Sequence, residues 1–188
     1  MCGIVGYVGE KQAANFLIDG LTKLEYRGYD SAGIAVFDGE KINVAKSVGR
    51  LAALKEKIKN NTPEGVMGIG HTRWATHGRP SDVNSHPHTD CSGKFAIVHN
   101  GIIENFMSLK EELIAKGHKF VSETDTEVVA HLIEDVYEGD FVEAVNKVLN
   151  RIEGSYSLAF MCQDYPDTLI CTKKDNPLVI GLGEGENF

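Results

Sequence analysis

The hydrophobic period of this chain switches back and forth between the strand value and the helix value, and that alternation limits the fold more than any other feature. CGIVGYVG opens as a short apolar strand punctuated by glycine. KQAANFLIDGLTKL then carries Ala14, Leu17, Ile18, Leu21 and Leu24 at three- and four-residue spacing, one face of a helix. SAGIAVFDGEKINVAKSV reads as two strands around Asp38-Gly39, a dipeptide suited to a tight turn because glycine tolerates positive φ. RLAALKEKIKNN is a short helix stopped by Asn-Asn-Thr-Pro, and VMGIGHTRWATHG begins as strand and dissolves into a polar loop running to about His88. KFAIVHNGII is strand again, and NFMSLKEELIAKG is an amphipathic helix stopped by Gly117. Thr124 and Glu127 fit a capping box ahead of VVAHLIEDVY, and DFVEAVNKVLNRIEG adds a further helix. SYSLAFMC, TLICTKK and PLVIGLG read as a strand meander.

A hairpin and a meander imply antiparallel pairing. The expected class is α+β, with two stacked antiparallel sheets and helices on their outer faces, rather than a parallel doubly wound sheet. At 188 residues the chain suits one buried domain and leaves little room for two. Its 42% hydrophobic content and 5 prolines exclude disorder and fibrous repeats. No apolar run approaches the roughly 20 residues that span a bilayer, and MCGIVGYVGEKQ lacks the pattern of a signal peptide, so a cytoplasmic location without membrane contact is expected. The 27 acidic against 19 basic residues, the latter scattered, argue against a nucleic-acid partner. GLGEGENF follows an apolar strand like the start of a connection, so residues 1–188 are expected to be one domain of a longer protein.

Several residues could carry chemistry. Cys2 follows Met1, and loss of Met1 would leave one residue bearing both a thiol and a free α-amine. The amine titrates near roughly 7.7 to 8.0 and the thiol near about 8.5, so a neutral amine could accept a proton from its own nucleophile. The other reading of Cys2 is a small residue entering a strand. HTRWATHG, residues 71–78, follows a strand as a binding loop would: Arg73 can hold a carboxylate through two parallel bonds and Trp74 offers a rigid wall. It reads equally as a solvated surface loop. In HNGIIEN the Asn100 amide and the Gly101 N–H at a strand end could make an oxyanion hole, or Asn-Gly could be a plain turn. Asp125 at a helix entry is either a first-turn acid or a ligand for an ammonium. YRGYDSAG is a dense turn in which Arg27 could brace the N-terminus or a loop. The cysteines at 2, 91, 162 and 171 form no CxxC pair, and His71, His77, His86 and His88 with Cys91 match no closed zinc spacing.

Taken in order, CGIVGYVG, LEYRGYDSAG, HTRWATHG, NSHPH, HNGIIEN and ETDTEVVAHLI resemble the glutaminase domains of the glucosamine-6-phosphate synthase family. These are class II glutamine amidotransferases among the N-terminal-nucleophile hydrolases, and the resemblance spans essentially the whole chain. Other class II amidotransferases, such as the phosphoribosyl-pyrophosphate, asparagine and glutamate synthases, share the cysteine start and the Asn-Gly pair. YRGYDSAG together with HTRWATHG is the form of the hexosamine branch. The resemblance implies a four-layer αββα sandwich and hydrolysis of L-glutamine to L-glutamate and ammonia through a cysteinyl thioester. It implies Cys2 as nucleophile with its α-amine as base, and Asn100 and the Gly101 N–H as oxyanion donors. Arg73 would hold the α-carboxylate and Asp125 the α-ammonium, with Trp74, Thr76 and His77 on a closing loop and Arg27 behind the site. No metal or organic cofactor is implied. The ammonia would pass by an internal channel to a sugar-isomerising domain of the same chain that binds fructose 6-phosphate, in a full-length enzyme that is a homo-oligomer. A non-catalytic amino-acid-binding module that retains Met1 is the reading from a different class.

Overall fold

Alternation of side chains along the strands builds two sheets, each with one face turned to the other sheet and one to helices. The computed structural model describes residues 2–188. The first sheet orders β1 (Gly3–Val8), β4 (Met67–Arg73), β2 (Ser31–Phe37) and β3 (Ile42–Val48), and the second orders β5 (His88–Thr89), β6 (Phe95–Ile103), β7 (Gly154–Cys162) and β8 (Leu169–Lys174). Every strand pair is antiparallel.

On β2, Ala32, Ile34 and Val36 join the cluster under α1 (Ala13–Leu24) and α2 (Leu51–Ile58), while Ala35 and Phe37 face inward. On β7, Tyr156, Leu158 and Phe160 pack with α3 (Phe106–Ala115), α4 (Glu127–Val136) and α5 (Phe141–Leu149), while Ala159 and Met161 face inward. The period of two thus produces three apolar layers and the expected αββα sandwich. Alanines 35, 96 and 159 keep the inner layer thin. The helix α1 settles closely on β4 because Gly68 lacks a side chain; a Cβ there would lie 2.8 Å from Leu17 Cδ1. Among the described residues, no helix is long and apolar enough to cross a membrane.

Two local expectations are corrected. Thr124 does not cap α4: its hydroxyl bonds His88 Nε2 at 3.0 Å and Ser122 Oγ at 3.0 Å. The Glu127 carboxylate instead accepts from the backbone of Val121 and Ser122, and the cap position falls on Thr126 with no side-chain bond. The segment PLVIGLG is not a third meander strand. Asp175 enters the left-handed region at φ 63° and turns the chain off β8, Pro177 has no N–H for a ladder, and residues 176–188 pair only through isolated bridges such as Val8 with Asn187.

Candidate active site

The inward face of both sheets changes character at one end. On β4, Met67 and Ile69 belong to the inner apolar layer, and the same alternation carries His71 and Arg73 onto that face. On β6, Ala96 and Val98 are followed by Asn100, and on β1 the inward Val8 and Ile4 are preceded by Cys2. Register brings them together, because Gly3 pairs with Thr72 and sets Cys2 beside the end of β4. Cys2 Sγ accepts the Trp74 N–H at 3.2 Å and lies 3.5 Å from the Trp74 carbonyl. Asn100 Nδ2 donates to the Cys2 carbonyl at 3.3 Å.

The Asn100-Gly101 pair lies inside β6 rather than at a turn, which removes the turn reading. His71 Nε2 is 3.0 Å from the His99 carbonyl and 2.9 Å from Asn100 Oδ1. Both neighbours are acceptors, so Nε2 carries the proton and leaves Nδ2 as the amide edge toward Cys2. Burial pushes the His71 pKa down to about 3, so the ring stays neutral. Gly101 has φ +133° and a Cβ there would stand 2.0 Å from the Ser155 carbonyl oxygen; only glycine brings its N–H to this position.

Arg73 is a buried cation, 3% exposed, at the last position of β4. Its Nη2 donates to the carbonyls of His77 and Gly78, and its buried Nη1 finds no acceptor among the described residues. An unsatisfied buried guanidinium edge is a demand for an anion. Asp125 stands just ahead of the α4 cap, outside the first turn, and accepts the Ile103 N–H at 2.8 Å. Its nearest basic side chains are His77 and His99, each at 3.9 Å. Burial lowers His99 to about 4, partly offset by Asp125, so at neutral pH that ring leaves the carboxylate uncompensated. Arg73, Asp125, Trp74, Thr76, His77 and Arg27 all line one open cleft of about 1650 Å³ with Cys2 and Asn100. That space far exceeds one amino acid, so selectivity has to come from contacts rather than from enclosure.

Burial pushes the Cys2 thiol pKa up, against the opposing pull of the Trp74 N–H, so the sulfur holds its proton at neutral pH. Among the described residues no side chain hydrogen-bonds Sγ, and His71, the imidazole oriented at this site, is occupied with Asn100. The chemistry therefore requires a base other than a neighbouring histidine.

Two residues of this region escaped the sequence reading. Asp30 accepts from Ala75 N–H and Ser31 Oγ, tying the YRGYDSAG turn to the loop after β4. His71 was weighed only as part of HTRWATHG and of a histidine set that matched no zinc spacing, not for its hold on Asn100. The pairing of Ser31 with Arg73 is the signal that would have found Asp30.

Four buried histidines form a neutral layer behind the site. His71 stacks on His86 with centroids 4.2 Å apart, His86 meets His88 edge-on at 4.7 Å, and His86 and His99 each contact Thr126 Oγ1 at 2.9 Å. Desolvation lowers all four pKa values. The unfolded imidazoles, near about 6.5, take up protons that the folded ones refuse, so stability present above that pH is lost as pH falls. His71 and His99, held near about 3 and about 4, should each remove roughly 2 kcal/mol by pH 5. Urea midpoints measured from pH 7 to pH 5 should fall steeply; a flat profile would show that these rings are not buried neutral.

A sequence pattern described as a glutamine amidotransferase domain matches residues 71–187. The chain belongs to the glutamine amidotransferase family. Over all 188 residues it is 60% identical to a glutamine–fructose-6-phosphate aminotransferase (isomerizing) of Caldanaerobacter subterraneus subsp. tengcongensis, and 55% identical to proteins of the same name from Clostridium tetani and, over 190 aligned residues, Thermococcus kodakarensis. It spans 31%, 31% and 32% of the length of those relatives. Among solved structures, the B. subtilis glutamine phosphoribosylpyrophosphate amidotransferase complexed with ADP and GMP superposes with a TM-score of 0.84 at 29% identity, covering all of this chain and 41% of that one. A class-II glutamine aminotransferase domain protein from Silicibacter pomeroyi shares the fold at TM-score 0.62 and 16% identity, over 95% of this amidotransferase chain and 79% of its own. The layered architecture is thus that of the N-terminal-nucleophile amidotransferases.

Proposed function

We propose that this amidotransferase domain hydrolyses the side-chain amide of L-glutamine to L-glutamate and ammonia, with Cys2 as nucleophile. The observation that carries the reading is the Asn100 amide, oriented by His71, meeting Cys2 at the end of the inner layer. Met1 lies outside the described residues; its removal would give Cys2 a free α-amine, and intact mass of the purified protein measures it. That amine takes the thiol proton, and the thiolate attacks the amide carbon. The oxyanion accepts from Asn100 Nδ2–H and Gly101 N–H. The C–N bond breaks as the ammonium proton passes to the departing nitrogen, leaving a γ-glutamyl thioester and free ammonia. Water then adds, the amine again accepting its proton, and glutamate leaves as the thiol is restored.

The Arg73 Nη1 edge would take the substrate α-carboxylate and Asp125 the α-ammonium, with Trp74, Thr76 and His77 closing over it and Arg27 supporting from behind. None of this chemistry calls for a cofactor. Glutamine is a zwitterion, which suits a domain of net charge −8 that has no need of a phosphate site. The names of the relatives extend the reading: in a longer protein, the ammonia would pass to a sugar-isomerising domain of the same chain acting on fructose 6-phosphate, and we propose, apart from those names, that this protein is a cytoplasmic homo-oligomer.

The test compares L-glutamine, its α-amide and its N-acetyl derivative. Each charge-assisted contact contributes about 1.5 to 3 kcal/mol, so Arg73→Ala or Asp125→Ala should cost roughly 10- to 100-fold in kcat/KM. Arg73 should matter more, because its fork makes two parallel bonds where Asp125 meets a rotating ammonium. Equal turnover of all three compounds by the wild type would sink both assignments.

A further inference from the structure

Away from the cleft, three segments that are distant in sequence bring four metal-ligating side chains together. Cys91 sits in the turn between β5 and β6, His118 follows α3, and His131 and Glu134 share one face of α4. One donor atom from each lies within 4.8 Å of every other. We propose that Cys91, His118, His131 and Glu134 form a structural site for a divalent, borderline-soft metal ion, zinc by the chemistry of its donors. The proposal is independent of the glutaminase reading.

Zinc bonds of about 2.3 Å to sulfur and about 2.0 to 2.2 Å to nitrogen and oxygen give tetrahedron edges of about 3.4 to 3.6 Å. Cys91 Sγ stands 3.6 Å from His131 Nδ1, and His131 Nδ1 stands 3.5 Å from Glu134 Oε2. The remaining short edge, His118 Nδ1 to Glu134 Oε2 at 2.9 Å, is a hydrogen bond that ligation would open by about half an ångström. All four ligands come from the protein, with none left to water, which makes a structural site rather than a catalytic one.

Outer contacts favour ligation. Lys119 N–H donates to Cys91 Sγ at 3.3 Å, a bond that a metal-bound sulfur would keep. The far ring nitrogens lie near carboxylates without hydrogen-bonding them: His131 Nε2 is 3.5 Å from Glu127 Oε1 and His118 Nε2 is 3.7 Å from Asp135 Oδ1. A carboxylate close to the far nitrogen favours the proton there once a metal takes the Nδ1 lone pair. Charge also balances, since one thiolate, one carboxylate and two neutral imidazoles match a dication. On binding, the Cys91 S–H proton leaves to solvent and the His118 proton moves from Nδ1 to Nε2. Sequence spacing could not reveal this set, because its members come from two loops and one helix that are far apart in the chain; the proposal departs from the expectation of no metal.

The test strips the 188-residue chain with chelator and titrates Co²⁺, then Zn²⁺, in a Cys2→Ala background so that the active-site thiol contributes nothing. One equivalent of cobalt should give a thiolate charge-transfer band with intense tetrahedral d–d bands, displaced by one equivalent of zinc. Zinc at a hundredfold excess over its Kd should raise the folded-to-unfolded ratio about 100-fold and Tm by about 5 to 10 °C. Cys91 is exposed in a turn, so Cys91→Ser should fold, abolish the charge-transfer band and weaken binding by at least about a hundredfold; His118→Ala should weaken it comparably. A chain with no band and no zinc-dependent rise in Tm, or a band that survives Cys91→Ser, would overturn the proposal.

Discussion

Replacing Cys2 by alanine is expected to abolish glutamate release, by a factor on the order of 10⁴ or more, while circular dichroism and thermal unfolding stay close to wild type. The size of the loss follows from the sulfur being the atom that forms the thioester, for which no other side chain at this end of the inner layer can substitute. The preserved fold follows from its environment. Cys2 is half-buried ahead of β1, and its sulfur bonds only the Trp74 backbone, so truncation removes about one weak hydrogen bond. Acetylating the terminal amine should match the alanine variant in activity, because the raised thiol pKa leaves the sulfur protonated without a base. Cys2→Ala with substantial turnover would discard the nucleophile, and an active acetylated chain would discard the amine.

How much of this was legible beforehand differs between scaffold and site. The period of two in SAGIAVF and the helical stripe from Ala14 to Leu24 were sufficient for the layers, since one face of each strand had to meet a helix and the other a second sheet. The end of the chain misled because PLVIGLG has strand composition, while Asp175 and Pro177, which divert it, act through backbone geometry. Thr124 and Glu127 carried the spacing of a capping box, yet the buried histidines compete for the hydroxyl, and His88 wins it. At the site, motif order named Cys2, Arg73, Asn100, Gly101 and Asp125, and the structure gathers all five around one cleft. What it could not convey is which groups orient them. Asp30 and His71 act through register across strands, and register is a property of pairing rather than of local sequence.

Asn100→Ala is expected to lower kcat by about 10² to 10³ with a much smaller change in KM, since a preorganised donor acts on charge that exists only as the thiolate attacks. His71 supplies the sharper form of this prediction. Its Nε2–H holds Asn100 Oδ1, and without that bond the amide is free to turn its oxygen toward the developing oxyanion, which would be repelled. His71→Ala should therefore lower kcat by about tenfold or more at nearly constant KM, although His71 touches no substrate. If His71 works only through Asn100, adding His71→Ala to Asn100→Ala should cost nothing further, so the two losses would fail to add. Multiplying losses in the double variant would mean that His71 supports the site by packing against His86 instead. An Asn100→Ala chain with unchanged kcat and only weaker binding would take the amide out of the reaction altogether, and would leave the Gly101 N–H, held at φ +133° inside β6, as the remaining donor at that position.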